Sequence, residues 1–276
     1  MLRSLTLACS YNDKTLMARF FMTVQALPKT NELIGEINSY FAKNRKPTDG
    51  QVTLLNRKAD TLRGKIPENI YYDLLGRIAC LENDIAALNR HYQTALKLAP
   101  TDFQIHYDYL LALHNKGLHS KALAHGKTVL ADFPEHSETI LSLITEYAIL
   151  ACRIYEASGF LTQTKNPDNH KFYQLIKEGR AIFETTGLAD DEVERLQNLA
   201  HALIEKNNLY FSGVNQINIT RGCMHYQIYI DLPIEQMFEI NWQLADVLVE
   251  STENTQSDVI LFEFESIDVL EERLAS

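Results

Sequence analysis

Basic residues almost vanish from the last quarter of this chain, cysteines never come in close pairs, and no apolar run is long. Each shortage excludes something. The four cysteines, Cys9, Cys80, Cys152 and Cys223, stand roughly seventy residues apart with no Cys-x-x-Cys among them. That spacing supports neither a zinc site nor a disulfide framework, and fits free thiols in a reducing compartment. No apolar run approaches the ~20 residues that span a bilayer. The segment Leu5-Thr6-Leu7-Ala8-Cys9 superficially resembles a lipoprotein cleavage site. Its apolar stretch is too short for a signal region, and Tyr11-Asn12-Asp13-Lys14 ends it. The expectation is a cytoplasmic protein with no membrane partner. Gly-x-Ser-x-Gly, phosphate-loop and Gly-x-Gly-x-x-Gly motifs are all missing, so neither a motif-bearing enzyme nor a cofactor is expected.

The charge that is present is unevenly spread. Residues 1–66 hold 11 Lys/Arg against 5 Asp/Glu, residues 67–208 hold 13 against 19, and residues 209–276 hold 2 against 12. These shifts suggest three regions: basic N-terminal helices (1–66), a helical stack (67–208) and an acidic module (209–276). An acidic surface repels phosphate backbones, so the last region is a poor match for nucleic acid. Arg45-Lys46 and Arg57-Lys58 keep a nucleic-acid-associated regulator as an alternative for the first.

Four of the seven prolines, Pro67, Pro100, Pro134 and Pro167, recur at intervals of 33, 34 and 33 residues. Regular spacing at this period is a repeat signature when the intervals carry matching helical patterns. Between Asn69 and Pro100, Tyr72, Leu75, Gly76 and Ala79 form one helical stripe, and Leu88, Tyr92, Ala95 and Leu98 form a second. Asn83 or Asp84 stands ready to cap the second helix. This order of aromatic, Leu-Gly, small residue, second-helix aromatic, alanine and closing proline resembles the tetratricopeptide repeat. A degenerate copy follows over His106, Tyr109-Leu110, Leu113, Gly117, Ala122, Val129 and Pro134. Weaker flanks lie at Glu32–Pro67, split by Lys46–Gly50, and at Glu138–Phe160, which reads either as one long helix or as a fused pair. Two more helices follow, Asn169–Thr185 closed by Gly187, and one opened by Asp190-Asp191-Glu192. The fold expected is mainly α: stacked antiparallel helix pairs with a small C-terminal α+β module.

In that module Ile217 and Ile219 alternate with polar residues, as do Tyr226, Ile228 and Ile230. A helix from about Pro233 to Glu250 carries Ile234, Met237, Phe238, Leu244, Ala245, Leu248 and Val249 as its apolar face. After a polar loop, Ser251–Ser257, a strand over Val259–Glu265 completes a strand-strand-helix-strand order. The other sheet face, with Asn218, Gln227, Tyr229, Glu263 and Glu265, either meets water or docks on something; Tyr229, Glu263 and Glu265 are its candidate site residues. Three strands are few for independent stability, so the module should pack on the helices or pair through its sheet edge with a second copy.

Six of nine histidines fall between His91 and His136, yet no His-x-x-x-His pairing occurs and no metal is expected. Cys223 beside His225 reads as a turn or strand-edge residue, and Trp242 as an edge packer. The tetratricopeptide resemblance implies a concave groove lined by first helices. The matching positions are Asp73 and Arg77, then Tyr107, Leu111, His114 and Asn115, then Leu141 and Thr145. Arg77 and Tyr107 are the residue types that most often anchor interfaces. The function these readings suggest is a scaffold or adaptor that binds a protein or peptide partner. An enzyme with its site at the junction with the C-terminal module is a further alternative.

Overall fold

The computed structural model describes residues 5–9, 28–251 and 259–275. Arg3 and residues 11–14, and all but Ser251 of the polar loop expected over Ser251–Ser257, lie outside the described residues. The protein is mainly helical with a small sheet. It divides into two compact units: a helical unit, residues 10–116, and a mixed unit, residues 1–9 with 117–276. The charge shifts at 66/67 and 208/209 fall elsewhere, because packing rather than net charge draws these units.

The described part of the helical unit holds α1 (Pro28–Phe41), α2 (Asp49–Leu62), α3 (Glu68–Glu82), α4 (Ile85–Leu98) and α5 (Phe103–Asn115). A reciprocal cap opens α2: Thr48 Oγ1 accepts from the Gln51 amide, and the Thr48 amide donates to Gln51 Oε1. Asn83 ends α3 in the left-handed conformation, and Asp84 then accepts from the Ala87 amide to start α4. Both candidate capping residues are therefore used, one on each helix. Gly76 of α3 faces the Tyr92 ring so closely that a Cβ would meet it at 2.7 Å. The Leu-Gly step thus lets α3 and α4 pack at short range. Leu33 and Ile37 of α1, Val52, Leu55 and Ala59 of α2, and Leu74 and Ile78 of α3 share one core. Contacts run α1–α2, α1–α3, α2–α3, α3–α4, α3–α5 and α4–α5.

The mixed unit continues with α6 (His119–Asp132), α7 (Ser137–Leu150), α8 (Ile154–Leu161), α9 (Tyr173–Thr186) and α10 (Asp190–Lys206). Of the two readings of Glu138–Phe160, two helices are found. Cys152 takes φ 58° at the break, and Asp190 of α10 accepts the amides of Tyr155 and Glu156 to cap α8. Gly187 closes α9 at φ 74°.

Strands β1 (Leu5–Cys9), β2 (Phe211–Thr220), β3 (Cys223–Ile230) and β4 (Ile260–Ser266) form a sheet in that order. β1–β2 and β2–β3 are antiparallel, whereas β3–β4 is parallel with α11 (Met237–Ser251) as the crossover. Helix α12 (Ile267–Ala275) follows β4 directly. The strand-strand-helix-strand expectation therefore gains a strand and a helix. Leu7 pairs with Ile217, a partnership across some two hundred residues that no local pattern announces. The sheet face of Met224, Tyr226, Ile228, Phe262 and Phe264 is buried, and the Tyr226 hydroxyl donates to the Leu150 carbonyl at 2.6 Å.

Two expectations for this region are corrected. The apolar face assigned to α11 is really two faces. Met237, Ile240 and Leu244 are buried, while Phe238 and Val249, and Ile234 just ahead of the helix, are exposed. The sheet face carrying Tyr229 is not open at that residue: Tyr229 is fully buried in a cluster with Val214, Ile267 and Leu270, the last two from α12.

Candidate functional site

The residues expected to line a groove are brought together in part. Asp73 and Arg77 lie one turn apart on α3, and Arg77 Nε donates to Asp73 Oδ2 at 3.0 Å. The same guanidinium pairs with Asp108 of α5, whose carboxylate also accepts from Gln104 at 3.0 Å. The buried Tyr92 hydroxyl and Asp73 Oδ1 make no hydrogen bond among the described residues. Burial raises Asp73, and burial with the Asp73 charge pushes Asp108 up to about 7, against the pull of Arg77. Two buried carboxylates around one guanidinium cannot both ionise cheaply, so both carboxyls are raised. Tyr107 and His114 are buried, and Leu111 and Asn115 half-buried. Arg77 is thus committed to the chain's own acids. Asp108 was missed in the sequence, where its signal was its position 31 residues after Arg77, close to one repeat.

The polar sheet face has its own network. Tyr229 donates to Gln216 Oε1 at 2.8 Å and accepts from Arg273, which also pairs with Glu265 at 3.0 Å. Burial raises the Glu265 carboxyl, opposed by Arg273 and reinforced by Glu263. Glu263 stands opposite Gln227 in the β3–β4 register. Tyr229 and Glu265 are therefore held by Arg273 of α12.

A third polar group lies within the mixed unit. His119 Nε2 is 3.0 Å from Asn215 Nδ2, and the His119 and His201 rings meet edge to face at 5.5 Å. Phe211 packs on both. Desolvation lowers His201 to about 4, so it is neutral near pH 7. Gln197 is wholly buried, and its amide atoms make no hydrogen bond among the described residues. Among the described residues no group of three or more His, Cys, Asp or Glu is placed to hold a metal ion. No described helix is long and apolar enough to cross a membrane.

The most exposed apolar surface is on α11. Ile234, Phe238, Trp242 and Val249 are 56%, 75%, 60% and 71% exposed. Phe238 and Trp242, one turn apart, lie side by side with ring centroids 6.1 Å apart and planes tilted by 32°. A helix turns 100° per residue, so Phe238, Trp242, Ala245 and Val249 fall within an arc of about 60°. Glu239, Asp246 and Glu250 fall together on one flank of that stripe, and all three are exposed. On the other flank, Asn241 accepts from the Phe264 amide at 2.8 Å and donates to its carbonyl at 2.9 Å. That pair imitates a neighbouring strand and closes the edge of β4 there, which opposes the strand-to-strand pairing of two copies considered for this edge. Sequence reasoning placed Trp242 at the margin of a core stripe. The missed signal was that the helix is apolar on too many sides for one sheet to cover.

Comparison of the chain with family models, with curated proteins and with solved structures finds no match.

Proposed function

We propose that this protein is a protein-binding adaptor whose binding surface is the exposed face of α11. The observation that carries the reading is the row Ile234, Phe238, Trp242 and Val249, four large apolar side chains each more than half exposed. Single exposed apolar residues are ordinary, but a contiguous row on one helix face that already buries its opposite side marks an interaction site. Aromatic side chains supply large contact area with little entropy to lose, which suits Phe238 and Trp242 as anchors.

The helical unit enters the same proposal as a tetratricopeptide-like stack. Its support is the succession of contacts α1–α3 and α3–α5, joining alternate helices, with α2 and α4 packed beside them. The close approach of Gly76 to Tyr92 fits the same reading. Asp73 and Arg77 of the stack are engaged with the chain's own groups, so the proposed binding surface lies on α11 rather than on them. A cytoplasmic setting belongs to the proposal too, supported by the buried thiols of Cys80 and Cys152, which form no disulfide among the described residues.

The test is affinity capture from native lysate with the full chain beside a Phe238→Ala/Trp242→Ala variant of unchanged circular dichroism. Proteins retained by the first and lost by the second support the reading. An identical set on both overturns it.

A further inference from the structure

We infer that the α11 surface takes a cationic amphipathic helix, with an apolar row beside a row of Lys or Arg side chains. The inference rests on the reading of that face as the binding surface, and adds the chemistry of what it binds.

Three observations select this partner. First, the acids are arranged rather than scattered. Glu239, Asp246 and Glu250 follow one another along the same flank of the stripe formed by Phe238, Trp242, Ala245 and Val249, and Glu235 precedes them. Among the described residues none of these four carboxylates makes an ion pair. Secondly, no Lys or Arg occurs between residues 222 and 272, so this part of the chain brings no countercharge of its own. Thirdly, the opposite flank is occupied by the Asn241–Phe264 pairing, so the exposed acids border the apolar row on its other flank, beyond which Gln243 meets Asn207 and Ser251 meets Arg195 of α10.

A helix laid on this face buries its apolar row against Phe238 and Trp242. A basic row beside it then reaches the acids and steers the approach. Other occupants fit less well. A second copy would set its own acidic row against this one, and like charges in close apposition cost affinity. An anionic lipid surface or a phosphate backbone meets the same repulsion.

The chain's sole tryptophan sits in the surface itself, so its emission reports binding without a label. Three 14-residue synthetic helical peptides serve as probes. One has a leucine row flanked by lysines, one the same leucine row flanked by glutamates, and one the lysines with the leucines replaced by alanine. With the full chain, the Leu/Lys peptide is expected to shift Trp242 emission to the blue and shield it from acrylamide, while the other two do not. Raising salt from 50 to 500 mM should weaken that binding about tenfold. Phe238→Ala should weaken it about tenfold or more, and Glu239→Gln/Asp246→Asn/Glu250→Gln should erase the preference for lysine over glutamate.

Equal binding of both leucine peptides overturns the charge selection and leaves the face standing as a docking surface. No response to either leucine peptide overturns both readings. A blue shift that grows with protein concentration alone assigns the face to a second copy and overturns the inference.

Discussion

In the helical unit a guanidinium is sunk between two carboxylates; in the mixed unit a neutral imidazole, a carboxamide and an asparagine are sunk together. Arg77 satisfies Asp73 and Asp108 by charge, whereas His201 is shifted by desolvation alone. The two solutions respond to acid in opposite directions. Asp108 is raised from its ordinary value, so its folded form holds a proton that the unfolded chain has already lost. Its contribution is complete below about pH 4 and fades as pH rises through about 7. His201 is lowered to about 4, so the unfolded chain takes up a proton that the folded form refuses. The mixed unit therefore loses stability as pH falls from about 6.5 towards 4.

The sharpest way to break this comparison is Arg77→Met. It strands two buried carboxylates, with an expected loss of about 3–5 kcal/mol in the helical unit. Urea denaturation followed by hydrogen exchange in α3 and α5 would measure it. Asp108→Asn instead keeps the shape and removes the excess acid. It should cost far less and flatten the fall in stability between about pH 4 and 7. If Arg77→Met left exchange unchanged, the triad would contribute nothing.

Gly117→Ala ranks next. Gly117 sits at φ 69°, and a Cβ there would meet the His201 ring at 2.0 Å. Strain and overpacking together should cost about 2–4 kcal/mol, read by urea denaturation followed by Trp242 fluorescence. Third, lowering pH from 7 to 5 should cost the mixed unit about 2 kcal/mol through His201. His201→Leu should remove that slope in the same fluorescence titration; a slope that persists would assign it to another group. Fourth, Asn241→Ala frees the Phe264 edge. A loss of about 1–2 kcal/mol is expected, with concentration-dependent association in sedimentation. A variant that stays monomeric would show that something else guards that edge.

The smallest effect expected is at Phe238→Ala. A residue so exposed should change stability by no more than about 0.5 kcal/mol, measured as the thermal midpoint. A larger loss would mean that the ring belongs to the fold rather than to a partner.

Much of the fold was legible because it is local. The Asn83–Asp84 junction, the left-handed Gly187 and the strands around Ile217 and Tyr226 each follow from residues within one turn or one strand. The site was legible only in part. Asp73 and Arg77 were found as a matching pair of positions, but their burial and the addition of Asp108 depend on how α3 meets α5. Phe238 and Val249 were read with the core face, since an apolar residue looks the same in sequence whichever way its helix is turned.

The sequence by itself determined several of the helix ends, such as those at Asn83, Asp84 and Gly187, because caps, glycines and apolar period act over a few residues. It determined too that the last quarter carries acid almost without base. The tertiary structure alone decided that Leu5–Cys9 joins a sheet some two hundred residues away, that Tyr229 is covered by α12, and that one face of α11 is left outside. Those outcomes depend on which surfaces run out of partners, a property of the packed chain that no single segment contains.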